Sequence, residues 1–266
     1  MDLYYRKYGQ GPPLIILHGL YGDSSNWITI ARHLEKKYTV YVPDMRNHGR
    51  SPHSTAHDYI SMSNDINEFS AKRSLQKISL LGHSMGGKTA MTFSVLNPEK
   101  VAALIIADIT PFSRSDQGDT IPRFHQKVLD TLLNTDISSY SERASIEKII
   151  TEKIGDARTT AFLLKNLYRA ENGSYRWRLN ARSLYDNLNE LMGPIPADVT
   201  SEVTGFPVLF IKGSDSGYLP GSHFPDISNL FPAAEFKIIE GAGHWLHAEK
   251  PDEFTESVQA FLEGSY

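Results

Sequence analysis

Residues 78–88 read Ile78-Ser79-Leu80-Leu81-Gly82-His83-Ser84-Met85-Gly86-Gly87-Lys88: an apolar run, a serine between glycines, and the opening of a helical pattern that continues to residue 96. A short apolar run bounded by turn formers reads as a buried parallel strand. A turn that passes directly from such a strand into a helix holds its central residue in a strained backbone, and side chains at the flanking glycines would collide with neighbouring main chain. The hydroxyl of Ser84 is thereby pushed outward, in front of helix N-terminal N–H groups that favour developing negative charge. A bare G-x-S-x-G is weak, because residue frequencies supply it about once in ten chains of this length. Its place between strand and helix gives it meaning.

Apolar runs of the same kind recur at residues 14–17, 39–42, 103–106, 208–211 and 236–239. Between most of them lie helical patterns, at 25–36, 59–74 and 84–96, with a last one at 252–262. This alternation predicts an α/β protein with a doubly wound, mostly parallel sheet. It stops between Pro111 and about Ser201, where the periodicity predicts helices at 122–133, 139–153, 157–168 and 181–191 and no core strand. Residues 112–201 are therefore expected to form a helical cap, with residues 1–111 and 202–266 as the core. The cap should cover the carboxyl edge of the sheet, where open α/β folds place their ligands. Phe112, Phe162 and Trp177 are its expected contributions to the pocket wall.

With 266 residues and 40% hydrophobic content, the chain can bury a large core. A formal charge of −4 and no dense basic run give no attraction for phosphate backbones or anionic membranes, so nucleic acid is not an expected partner. The opening Met1-Asp2-Leu3-Tyr4-Tyr5-Arg6-Lys7 lacks the apolar core of a signal peptide. No apolar stretch approaches the roughly 18–20 residues of a membrane span, and a cytoplasmic protein is expected. Without a cysteine, thiolate chemistry and Cys-ligated metal sites are excluded.

A serine hydroxyl needs a base, and imidazole suits neutral pH. Of the ten histidines, His244 stands out: Gly241-Ala242-Gly243-His244-Trp245 directly follows the last apolar run. Its place after the serine and the acid matches the chain order of hydrolase folds. His33, His53, His57, His125 and His223 read as solvated surface residues, and His83 and His247 as packing or hydrogen-bonding neighbours. After the run 14–17, His18-Gly19-Leu20-Tyr21-Gly22 occupies the place of a second oxyanion donor, so Leu20 and Met85 are expected to offer backbone N–H groups. The loop from Pro43 to Ser51 reads as a structural brace built on an Asp–Arg pair, with Asp44 and His48 outside the chemistry. Two carboxylates stand at strand ends as partners for the imidazole: Asp108 after 103–106 and Asp215 after 208–211.

Together these segments resemble the α/β-hydrolase fold superfamily, and within it the subfamily of YbfF-type esterases and α/β-hydrolase domain-containing protein 11. The resemblance spans nearly the whole chain. It rests on Leu17-His18-Gly19-Leu20, Asp44-Met45-Arg46-Asn47-His48-Gly49, residues 82–88, Asp108-Ile109-Thr110-Pro111, residues 241–245, and Asn166-Leu167 through Trp177-Arg178-Leu179-Asn180. It implies a serine carboxylesterase that hydrolyses small to medium acyl esters, or thioesters, through an acyl-enzyme without cofactor or metal. Relatives tend to carry Asn where this chain has Asp215, which favours Asp108 as the acid, with Asp215 or Ser216 assisting the histidine. C–C bond hydrolases, lactonases and perhydrolases share the fold, which alone does not choose among them. Dehalogenases and epoxide hydrolases are disfavoured, since they need a carboxylate at position 84. A silent ligand-binding protein is the reading from another class.

Overall fold

The computed structural model describes residues 1–113, 120–196 and 202–264. In chain order its first half contains β1 (Tyr5–Tyr8), β2 (Pro13–Leu17), α1 (Ile28–Leu34), β3 (Thr39–Pro43), α2 (Tyr59–Lys72), β4 (Ile78–His83), α3 (Met85–Leu96) and β5 (Val101–Ala107). An inserted segment follows, with α4 (Thr120–Leu133), α5 (Arg143–Ile154), α6 (Ala157–Leu163), β6 (Leu167–Arg169), β7 (Tyr175–Trp177), α7 (Ala181–Asp186) and α8 (Leu188–Met192). The chain then closes with β8 (Val208–Gly213), α9 (Phe224–Leu230), β9 (Ala234–Ile239), α10 (Leu246–Glu249) and α11 (Pro251–Gly264).

The main sheet has the order β1-β3-β2-β4-β5-β8-β9. Every pairing in it is parallel except β1 with β3. Both faces are covered, and the side-chain alternation of the strands divides the core in two. Ile15, Leu17, Leu80, Leu104, Ile106 and Phe210 point to the side of Phe69 on α2 and Met91 on α3. Leu14, Ile16, Leu81, Ile105 and Ile211 point to the side of Ile30 on α1 and Phe254 on α11. Full burial of each such side chain stabilises by about 1.5–3 kcal/mol, which makes the central strands the firmest part of the molecule.

All six predicted core strands are present. The edge strand β1 is missing from the sequence reading because Tyr5-Arg6-Lys7-Tyr8 is half-buried or exposed and carries no apolar run. In the inserted segment the four predicted helical stretches are found, but the third ends at Leu163. A two-stranded antiparallel ribbon, β6 with β7, occupies residues expected to be helix and loop. The segment is therefore not purely helical, and the parts of it at 114–119 and 197–201 lie outside the described residues.

The inserted segment is bound to loops at the carboxyl edge of the sheet. Asn166 Nδ2 donates to the Tyr21 carbonyl at 2.7 Å, Asn47 Nδ2 to Ser183 Oγ at 3.1 Å, and the Tyr59 hydroxyl to the Leu191 carbonyl at 2.7 Å. Its two ends meet: the Ile195 N–H donates to the Pro111 carbonyl at 2.8 Å. Beneath them the buried ammonium of Lys88, on α3, donates to the carbonyls of Phe112 and Gly193.

At the turn from β4 into α3 the main chain is at its most crowded. A Cβ on Gly86 would stand 2.3 Å from the Leu17 carbonyl oxygen, and one on Gly82 would stand 2.2 Å from the Gly86 carbonyl oxygen. Backbone cannot yield as the end of a side chain can. Gly86→Ala is expected to cost about 3 kcal/mol, at the upper end of ordinary overpacking. Thermal unfolding checks this, and an unchanged melting temperature contradicts it.

Candidate active site

Strand register brings the chemistry to one level. His83 pairs with Ala107 and Ala107 with Ile211, so Ser84 and Asp108 each lie one residue beyond the ends of neighbouring strands. The Ser84 N–H donates to the Ala107 carbonyl at 3.1 Å and the Asp108 N–H to the Ile211 carbonyl at 2.8 Å. Both residues turn sharply there, with φ of 53° and 52°. Non-glycine residues adopt such values rarely, and they persist only where the surroundings hold them.

The three side chains form one hydrogen-bonded line. His244 Nε2 is 3.1 Å from Ser84 Oγ, and His244 Nδ1 is 2.8 Å from Asp108 Oδ2. Asp108 is fully buried, whereas the His244 side chain is 18% exposed on the cavity. A buried carboxylate accepts a hydrogen bond from Nδ1–H and so keeps the proton on that nitrogen, which leaves Nε2 free to accept from the serine hydroxyl. Asp108 is held in turn by the Gly213 N–H at 3.1 Å and by the hydroxyl of Ser216. Asp215, the other candidate acid, is exposed and accepts from Ser214 Oγ at 2.9 Å; it does not take the place on the imidazole that Asp108 occupies. Tyr218 stacks flat on His244, with ring centroids 3.5 Å apart and planes 15° apart.

Four other buried imidazoles build the surroundings. His18 Nε2 accepts from the Met45 N–H at 2.9 Å while its Nδ1 donates to the Gly19 carbonyl. His48 Nε2 accepts from the Tyr21 N–H at 3.2 Å while its Nδ1 donates to the Arg46 carbonyl. Each ring needs a lone pair and a proton, so each works only when neutral. Together they fix the loop that carries Leu20. His83 Nε2 donates to the His244 carbonyl at 2.7 Å, and His247 stacks on Trp27 at 4.2 Å. Desolvation, with neighbouring imidazoles, holds His48 and His83 far below the ordinary histidine range; desolvation lowers His18 as well.

Ser84 opens on a cavity of about 190 Å³ whose wall includes Leu20, Phe124, Phe162, Tyr218, His244 and Trp245. Met85, the other expected donor, heads α3 directly after Ser84. Of the three aromatic side chains expected in the wall, Phe162 is there. Trp177 lines a different groove, beside Leu132 and Leu179, and Phe112 packs on His223. Three histidines assigned to the surface are not solvated. His57 is buried beside Asn47, His223 is half-buried and bonded to Thr110 Oγ1 at 2.9 Å, and His125 lines the cavity. His125 bridges Tyr21 at 3.2 Å and Tyr218 at 3.4 Å. The brace in the Pro43–Ser51 loop also differs in detail: Arg46 pairs with Asp65 at 2.6 Å, while Asp44 accepts from the N–H groups of Ser24 and Arg50. Sequence reading missed Tyr218 and His125 because stacking and bridging partners come from distant segments.

A mostly parallel, doubly wound sheet with serine, aspartate and histidine in that chain order at its carboxyl edge defines an α/β hydrolase. The chain belongs to the family described as alpha/beta hydrolase fold, which matches residues 12–251. It is 36% identical over 257 residues to the sn-1-specific diacylglycerol lipase ABHD11 of Danio rerio, covering 96% of this chain and 80% of that protein. It is 31% identical over 252 residues to esterase YbfF of Escherichia coli (strain K12), covering 94% and 92%. A solved marine microorganism esterase superposes with a TM-score of 0.93 at 42% identity, covering 98% of this chain and 99% of that one. The protein is a hydrolase of the esterase and lipase type.

The neutral histidines make stability depend on pH. Burial lowers His57 and His247 to about 3 from the ordinary 6.5. Below pH 6.5 the unfolded chain takes up protons that the folded chain refuses, so stability is full above that pH and falls toward pH 3. The slope is about 1.4 kcal/mol per pH unit for each such group. The melting temperature is expected to drop between pH 7 and pH 5, and His57→Leu to make that drop shallower. A melting temperature constant across this interval contradicts the assignment.

Proposed function

We propose that this protein is a serine carboxylesterase in which Ser84 attacks the acyl carbon, His244 is the general base and acid, and Asp108 holds the imidazole. The single observation that carries the reading is the line of hydrogen bonds from buried Asp108 through His244 to Ser84 at the wall of a mostly apolar cavity. Substrates are small to medium acyl esters, in keeping with relatives named esterase and lipase.

As Ser84 Oγ bonds to the carbonyl carbon, its proton passes to His244 Nε2 and the carbonyl π electrons move to oxygen. The backbone N–H groups of Leu20 and Met85 stabilise that oxyanion, each by about 3–4 kcal/mol in comparable sites. Asp108 stays ionised and stabilises the imidazolium. Collapse breaks the bond to the alcohol oxygen, which takes the proton from Nε2 and leaves an acyl-serine. Water then repeats the sequence: it gives a proton to His244, adds to the acyl carbon, and releases the acid as the proton returns to Ser84 Oγ. Ser216 assists by fixing Asp108. Residues 112–201 act as a cap over this site and residues 1–111 with 202–266 as the hydrolase core. The protein works in the cytoplasm; among the described residues no helix is long and apolar enough to cross a membrane.

Ser84→Ala is expected to keep the fold and lose about 10³-fold or more in turnover on a chromogenic acyl ester, together with labelling by a fluorophosphonate probe. Near-parental turnover in the purified variant would overturn the reading. Asp108→Asn is expected to lose several orders of magnitude and Asp215→Asn little, with circular dichroism as the check on folding. The opposite ranking moves the acid to Asp215.

A further inference from the structure

Ser84 borders two chambers. Besides the cavity of about 190 Å³, a second chamber of about 30 Å³ also reaches Ser84, lined by Met85, Ile109, Leu191 and Met192 among others. Leu20, Ser84, His125 and Tyr218 line both and so form the waist between them. His244 lines the large chamber and not the small one, whereas Met85 lines the small one and not the large.

That asymmetry assigns the two halves of the ester, given the serine mechanism proposed above, on which this inference rests. When the tetrahedral adduct collapses, the alcohol oxygen must take its proton from His244 Nε2, so the alcohol must leave through the chamber that the imidazole faces. The acyl chain extends the other way from the same carbon, past Met85. We infer that the small chamber is the acyl site and that this protein is selective for short acyl groups, of two to four carbons, carried on larger apolar alcohols.

Size sets the limit. The small chamber, about 30 Å³ against about 190 Å³ for the large one, leaves room for only a short chain beyond the carbonyl. Outside the waist its polar wall groups are engaged elsewhere: Lys88 Nζ donates to the carbonyls of Phe112 and Gly193, and the Tyr59 hydroxyl to the Leu191 carbonyl. Beyond the waist, what faces the acyl chain is mostly apolar: Met85, Ile109, Ile121, Leu191 and Met192. The large chamber, with Trp27, Phe124, Phe162 and Trp245 in its wall, suits an apolar or aromatic alcohol. Asp156 is its one acidic or basic lining side chain apart from histidines among the described residues, so an anionic alcohol is disfavoured.

The test is a grid of p-nitrophenyl and benzyl esters with acyl chains from acetyl to dodecanoyl, and of acetyl esters with alcohols of graded length, each read as kcat/KM. Acetyl to butyryl esters are expected to be the best substrates. Hexanoyl and longer chains should fall by about tenfold or more, since overpacking a rigid chamber is costly. Longer alcohols should be tolerated. Met192→Ala and Leu191→Ala should each move the acyl optimum to longer chains; two variants are used so that a folding defect in one does not decide the matter. Phe162→Ala should change alcohol preference and leave the acyl optimum where it was. A best acyl chain of six or more carbons, or an acyl optimum moved by Phe162→Ala and not by the small-chamber variants, overturns the inference while leaving the serine mechanism intact. No hydrolysis of any ester and no fluorophosphonate labelling of Ser84 overturns both.

Discussion

The backbone of Gly86 lies so close to the carbonyl of Leu17 that no side chain fits between them, and the rest of the site depends on that approach. Because the first turn of α3 nests under the end of β2, two loops from different strands are brought side by side. One carries Leu20 and the other carries Ser84 and Met85, and all three share one cavity system. The strain at Ser84, with φ of 53°, is held by what surrounds it: the β4–β5 ladder on one side and the β2 terminus on the other. A position held from both sides keeps its geometry, which is what the serine mechanism proposed for this site requires.

Histidine serves here in two opposite capacities. His18, His48 and His83 sit within the protein as neutral struts, each placing a ring nitrogen on a backbone group that secondary structure leaves unpaired. An amide or hydroxyl could supply one such bond, but imidazole reaches farther and offers a donor and an acceptor at opposite ends of a rigid ring. His244 differs by position, not by kind: it reaches the cavity, and its far nitrogen meets a carboxylate instead of a carbonyl. The neighbouring imidazoles must stay uncharged for the loop beside Ser84 to keep its shape, so the same desolvation that lowers them serves the site's geometry.

How much of this was legible in the sequence follows from the range of the forces involved. The six core strands carry their signal locally, as runs of apolar residues at 14–17 or 103–106, and the elbow carries it in the spacing of Gly82, Ser84 and Gly86. Chain order and strand ends single out His244 and narrow its partner to Asp108 or Asp215, and the lean toward Asp108 comes from the resemblance alone. Tyr5–Tyr8 was not, since an edge strand with one solvated side needs no apolar run. The ribbon of Leu167–Arg169 with Tyr175–Trp177 escaped because three-residue strands show too little alternation to separate from a helix end. His125 and Tyr218 act across 93 residues of chain, and no local pattern announces such a meeting.

Lys88 binds the carbonyls of Phe112 and Gly193, 24 and 105 residues away, so the inserted segment leaves and returns at a single point fixed to the helix behind the elbow. A segment fastened at its two ends is a closed loop in the polymer sense. Doubling the length of such a loop costs only about 0.6 kcal/mol in closure entropy. The stretch between the fastenings can therefore be lengthened, shortened or exchanged for another without disturbing the sheet, provided the two carbonyls still meet the ammonium. A pinned segment of this kind is a natural splice site, through which one hydrolytic core can be refitted to differently shaped substrates.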